Sequence, residues 1–119
     1  MKKVLDVSQV LKDFEGKPYQ TKFDDGTSQD KTLRDVLLAY CGSGHAMNLS
    51  TDDQGIVFSL GMAIGQSKDN VTLDQRDYDV LKKMSDNGKI GKGQTEQPLF
   101  ILPITQQVKQ MVDAAETVE

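Results

Sequence analysis

Few residues of this chain have the types and spacing that chemistry needs: among 119 residues there is one His, one Cys and no Trp. Cys41 and His45 lie four apart, across Gly42 and Gly44. A thiolate–imidazole nucleophile needs a third group to orient the base and a cause for a lowered thiol pKa. The sequence offers neither. Cys41 falls on the apolar stripe of a predicted helix, where a buried structural thiol is expected, and two ligands are too few for zinc. Carboxylates are abundant, but none lies in the apolar context that raises a carboxyl pKa for acid catalysis. Most belong to caps, turns or polar faces.

Three other strings invite a chemical reading. Gly88-Lys-Ile-Gly-Lys-Gly93-Gln-Thr95 has the two outer glycines and the Thr of a phosphate-binding loop. Gln94 stands where that loop needs the Lys that meets the terminal phosphates, and the string follows a predicted helix rather than a strand. A flexible loop is expected there. Ser50, Asp52, Gln54 and Gly55 open like a calcium loop, but its twelfth position is Gly61, where a bidentate Glu is required. A helix cap accounts for the same residues. Lys82, Lys83, Lys89 and Lys92 cluster with only Asp86 opposing them. They could touch a phosphate backbone by charge, yet no aromatic residue lies among them to stack a base. A solvated face comes first, an acidic protein partner second and nucleic acid third. Met47, Met62, Met84 and Met111 read as core filler. No catalytic residue, cofactor or metal ligand is assigned.

The elements that would position these residues are better marked. Thr32 and Asp35 form a capping box before the stripe Leu33, Val36, Leu37, Tyr40 and Cys41, and Gly42 and Gly44 offer a left-handed exit. Ser50 caps a second helix whose core face is Ile56, Val57, Leu60, Ala63 and Ile64, widened by Phe58 and Met62. Gly55, Gly61 and Gly65 within it suggest close approach of another backbone. Thr72 and Gln75 read as the capping box of a third helix carrying Tyr78, Val80, Leu81 and Met84, stopped at Asn87-Gly88. Pro103 opens a last helix with Ile104, Val108, Met111, Val112 and Ala115 on one stripe. Residues 4–23 are ambiguous. Val7, Val10, Leu11 and Phe14 have helical spacing, while a turn at Phe14–Pro18 would pair Gln9–Asp13 with Tyr19–Phe23 as a hairpin. The hairpin is preferred, followed by a polar loop over Asp24–Asp30.

Hydrophobic residues make up 37% and charged residues 27% of the chain, with a formal charge of −4. This balance describes a globular domain and disfavours a uniformly basic nucleic-acid surface. A lone Cys excludes an intrachain disulfide and fits a reducing cytoplasm. Asp6, Ser8 and Gln9 interrupt any signal-peptide core, and the longest apolar stretch, Ile56–Ile64, is far short of the roughly 20 residues of a membrane span.

Leu11-Lys-Asp-Phe-Glu-Gly-Lys-Pro18, then Thr32-Leu-Arg-Asp-Val-Leu-Leu38, Leu60-Gly61 with Ile64, Val71-Thr-Leu73 and a Pro98-led C-terminal segment follow one another in an order that resembles small proteins of tailed bacteriophages and prophages. These are mostly of unassigned role and encoded near virion-structure genes. The resemblance implies no catalytic residues; it implies function through contacts with other phage or host proteins.

The expectation is a single mainly α (α+β) domain over residues 1–119. It comprises a hairpin and loop over 1–31, a helical core over 32–116 with helices near 32–42, 51–66, 73–86 and 103–116, and a frayed tail at 117–119. The expected core is Leu33, Val36, Leu37, Tyr40, Ile56, Val57, Leu60, Ile64, Leu81, Met84, Ile104, Val108 and Met111. The expected function is that of a non-enzymatic phage protein acting through protein–protein contacts, in virion assembly or as a minor structural component. The alternatives are a small regulator that binds a host or phage enzyme and a weak nucleic-acid binder. Phe58, Met62, Leu99, Phe100, Lys82, Lys83, Lys89 and Lys92 are the candidate interaction residues. The partners would be other protein subunits, a homo-oligomer remaining open, and not a membrane. The expected setting is the host cytoplasm or the virion.

Overall fold

The computed structural model describes residues 2–47 and 49–118, His45 by its backbone alone. The chain is a mixed α+β domain of four helices, with a strand pair near its N-terminus. Strand β1 (Lys2–Asp6) starts it. Strands β2 (Gln20–Lys22) and β3 (Ser28–Asp30) form a hairpin. Helices α1 (Leu33–Gly42) and α2 (Thr51–Gln66) follow, then β4 (Asn70–Asp74) and α3 (Gln75–Asn87). Two short strands, β5 (Lys89–Ile90) and β6 (Gln97–Pro98), pair before α4 (Leu102–Asp113) and β7 (Glu116–Val118).

The turn of the preferred hairpin is present, but Gln9–Asp13 and Tyr19–Phe23 do not form its two strands: pairing is confined to the surroundings of Lys12 and Pro18, because Gln20–Lys22 takes Ser28–Asp30 as its partner. The Asp13 carboxylate accepts from the backbone N–H of Glu15 and Lys17, and Gly16 adopts φ 83°. Lys12 bridges Pro18, and the Tyr19 N–H donates to the Leu11 carbonyl. The chain then turns again, so part of the segment expected as a loop is the second strand of a hairpin: Gln20 faces Asp30 and Lys22 faces Ser28. The Asp25 carboxylate, accepting from the Thr27 N–H and hydroxyl, shapes that turn, and these bonds lower its pKa.

The helix caps follow local chemistry. Thr32 accepts from the Asp35 N–H at 3.4 Å while Asp35 accepts from the Thr32 N–H at 2.9 Å. Ser50 accepts from the Asp53 N–H at 3.1 Å. Gly88 ends α3 at φ 60° in the left-handed conformation. The exit of α1 is different from the one expected: Ser43 is its C-cap and a 3₁₀ turn over Gly44–Ala46 follows.

A three-stranded antiparallel sheet of order β4-β1-β7 corrects two expectations. Thr72 does not cap α3. It sits in β4 opposite Val4, and Asp74 is the cap, accepting from the Asp77 N–H at 2.8 Å. The reason is period: Val71 and Leu73 alternate into the core and are 5% and 2% exposed, which a strand satisfies and a first helical turn does not. Nor is the C-terminal tail frayed over its described part. Glu116 pairs with Val4 and Val118 with Lys2. The last helix accordingly stops at Asp113.

Leu5 and Val7 alternate inward from β1 and join Leu11, Met47, Tyr78, Val80 and Val112 in the core beside the expected residues. Ile56 and Met111 only pack on its margin. Phe58 and Met62 do not widen the buried face of α2; they are 76% and 49% exposed. The close approach inferred from the glycines of α2 occurs at Gly61, where a Cβ would lie 3.3 Å from that of Cys41, and not at Gly55, which faces open space. Tyr78 ties α3 to α4 through a 2.8 Å bond to the Val112 carbonyl.

Two variants test these points. Gly88→Ala forces a side chain into the left-handed region and toward the Thr105 methyl, 2.8 Å from the new Cβ; a loss of about 1–2 kcal/mol is expected in urea unfolding. Deleting residues 116–119 removes one flank of β1 and should cost on the order of 1–2 kcal/mol. An unchanged midpoint would return the tail to an idle role.

Candidate functional site

The expected interaction residues do not form one site. Leu99 and Phe100 are half-buried and pack on the core; Phe100 meets Tyr40 edge-on with ring centroids 5.9 Å apart, and the Lys31 ammonium lies 5.6 Å from its ring. They anchor the segment between β6 and α4. The surface falls instead to their neighbours Ile101 and Leu102, 56% and 68% exposed.

The lysines are drawn apart by their partners. Lys82 reaches Asp113 at 2.5 Å and Asp86 at 3.6 Å, so it joins α3 to α4 and its pKa is raised chiefly by the bond to Asp113. Lys83 reaches Asp53 at 2.9 Å and joins α3 to α2. Lys89 meets Glu96 at 3.5 Å across the β5–β6 ladder. Lys92 is exposed at the far end of that loop. A phosphate backbone would have to compete with these carboxylates for three of the four. The Gly88–Thr95 string is likewise a folded element rather than a cradle. Lys89 and Ile90 are in a strand, Gly91 and Gly93 turn back with φ 91° and 58°, and the Thr95 hydroxyl donates to the Lys92 carbonyl at 2.7 Å.

Cys41 is half-buried between α1 and α2, and burial pushes its thiol up to about 11. That is the opposite of what a nucleophile requires. The His45 side chain lies outside the described residues. Among the described residues no group of three or more His, Cys, Asp or Glu could hold a metal ion, and no helix is long and apolar enough to cross a membrane.

Among the described residues, exposed apolar side chains gather around two hollows. On the first, Leu38, Cys41 and Gly42 of α1 and Val57, Phe58, Gly61 and Met62 of α2 line a shallow hollow of about 250 Å³. The α1–α2 contact at Gly61 builds it, because no described residue covers the rim of α2 beyond that contact. The second was not foreseen. Phe14, 92% exposed at the tip of the N-terminal turn, overhangs Leu102, Pro103, Gln106 and Gln110 of α4 around an open groove of about 510 Å³. Gln107 fixes the turn there, accepting from the Lys12 N–H at 2.9 Å and donating to the Lys12 carbonyl at 2.6 Å. The spacing of the sequence allows Phe14 either a helix stripe or a turn. The Gly16-Lys-Pro18 punctuation beside it was the signal that it sits at a tip.

The chain was compared with known proteins: no family model matches it, and neither a curated protein nor a solved structure does.

A thiol shifted from 9.0 to about 11 is overwhelmingly protonated near neutrality. At pH 8 Cys41 should react with iodoacetamide roughly a hundredfold more slowly in the folded protein than in urea, as followed by intact mass. The raised value also means that folding holds the proton more tightly than the unfolded chain does. The associated stability is present below pH 9 and is lost as pH rises toward about 11. Equal folded and unfolded alkylation rates would place the thiol in solvent.

Proposed function

We propose that this chain is a non-enzymatic protein that acts through protein–protein contacts, and that it does so in a tailed bacteriophage, in virion assembly or as a minor structural component. The observation that carries the reading is the exposed apolar side chains around Phe58 and Met62 and around Phe14 and Leu102. Apolar groups gathered in this way mark contact surfaces more than scattered ones do. Two further points support it. The thiol is held protonated rather than activated, and the run of residues from Leu11 to Pro98 resembles phage proteins encoded beside virion genes. The partner would be another phage or host subunit met in the host cytoplasm.

Purified particles and assembly intermediates from cells producing the tagged chain should contain it in a fixed ratio to the capsid or tail proteins. Phe14→Ser, at a side chain that adds little to the core, should lower that ratio while changing unfolding free energy by no more than about 0.5 kcal/mol. Absence from both particles and intermediates, with recovery of one host enzyme in stoichiometric amount, would replace the virion reading with that of a regulator.

A further inference from the structure

Helix α2 carries no charge between Asp53 and Lys68, and its solvent face is Gln54, Gly55, Phe58, Ser59, Met62, Gly65 and Gln66. Leu60, fully buried, points into the core from the opposite side of the helix. Counted outward from residue 60, the face reads alike in both directions. Two steps away are the large apolar Phe58 and Met62, five steps away Gly55 and Gly65, and six steps away Gln54 and Gln66. Eight steps away stand opposite charges, Asp52 in the first turn of the helix and Lys68 two residues past its last one.

We infer that this face is the two-fold interface of a homodimer, in which α2 packs antiparallel against the α2 of a second copy. An isologous contact requires that if residue i meets residue j, then j meets i. A helix face symmetric about its midpoint meets that condition when its partner runs the other way. Phe58 then lies over the partner's Met62 and Met62 over the partner's Phe58. Gly55 and Gly65 oppose each other at both ends, and with no side chain there the two backbones can close around the central apolar pairs. The rim residues Leu38, Cys41 and Gly42 of α1 extend the apolar floor beneath Phe58.

Charge selects the same direction. The N-terminal end of α2 is net negative: Asp52 and Asp53 are joined there by Lys83, which is bonded to Asp53. The C-terminal end is net positive. Lys68 and Asp69 are joined there by Arg34, whose guanidinium donates to the carbonyls of Ser67 and Lys68. Neither Asp52 nor Lys68 is in an ion pair among the described residues. Antiparallel packing brings each negative end to the level of a positive one and opposes the two helix dipoles. A parallel pair would stack like ends. A helix of this length spans about 24 Å. One such pair lies at the small end of interfaces, whose stable members bury roughly 1,200 Å² or more, so a micromolar dimer is expected.

The inference rests on the reading of the chain as a protein-contact module, but self-association and recruitment to particles are separate measurements and either can fail alone. Sedimentation equilibrium from about 1 to about 500 μM at low ionic strength should show a monomer–dimer equilibrium in the micromolar range. Phe58→Glu should weaken it by at least about tenfold with an unchanged far-ultraviolet circular dichroism spectrum. Asp52→Lys alone and Lys68→Asp alone should each weaken it, and the double exchange should recover it. A monomer throughout the range overturns the inference, as does a dimer indifferent to Phe58→Glu. Loss in both single exchanges without recovery in the double one overturns the antiparallel register.

Discussion

Leu5 sits 2% exposed in a strand that has partners on both sides, β4 from the middle of the chain and β7 from its end. The rest of the fold depends on that strand being in place. Pairing Lys2 with Asp74 closes one long loop and pairing Lys2 with Val118 closes a longer one. Closure entropy grows only slowly with loop length, so neither pairing is prohibitive once the apolar side of the sheet has something to pack on. The helices supply it: Leu5, Val71 and Leu73 join α1, α3 and α4 residues in one core. The sheet also fixes the helix ends. β4 runs directly into α3 at Asp74, and α4 must stop at Asp113 for β7 to return to β1.

With those ends set, α2 is fixed by its neighbours rather than by its own amphipathicity. Gly61 lets α1 come close enough for Cys41 to lie against the helix, and the Val57 methyl groups fill the space beside Gly44. Val57, Leu60 and Ile64 are consumed by these contacts. A helix buried on one side has a remainder that faces out, and here that remainder is apolar. Phe58 and Met62 are exposed because α1 and α3 already take up the core-facing arc. The same contact dehydrates Cys41 and keeps its thiol protonated.

Surface charge plays an orienting part. Lys82 and Lys83 are adjacent in sequence yet lean to opposite sides, one to α4 and the other to α2. Exposed pairs of this kind are weak because water screens them, so they favour one helix arrangement without holding the domain together. Their consequence for function is larger. Three of the four cations that look like a patch along the chain are engaged separately by acids, Lys92 being the exception, while Phe14, Phe58 and Met62 stay exposed.

The helices were legible because capping and the 3.6-residue stripe are local: Thr32, Asp35, Ser50 and Gly88 act on backbone groups within a few residues of themselves. The turn at Asp13–Lys17 was legible for the same reason. β1, β4 and β7 were not. Each is at most five residues long, too short for alternation to declare itself, and each is a strand only because of a partner far away in sequence. Thr72-Leu-Asp-Gln75 satisfies a capping box as written, and only the demand of β1 for a partner makes it a strand end. Residue order by itself determined four helices, the caps at Thr32, Ser50 and Gly88 and most of the buried side chains. Which face of α2 stayed outside, where the lysines went and that the two ends of the chain share a sheet were decided by tertiary packing, because exposure and pairing depend on what else occupies the space around a side chain.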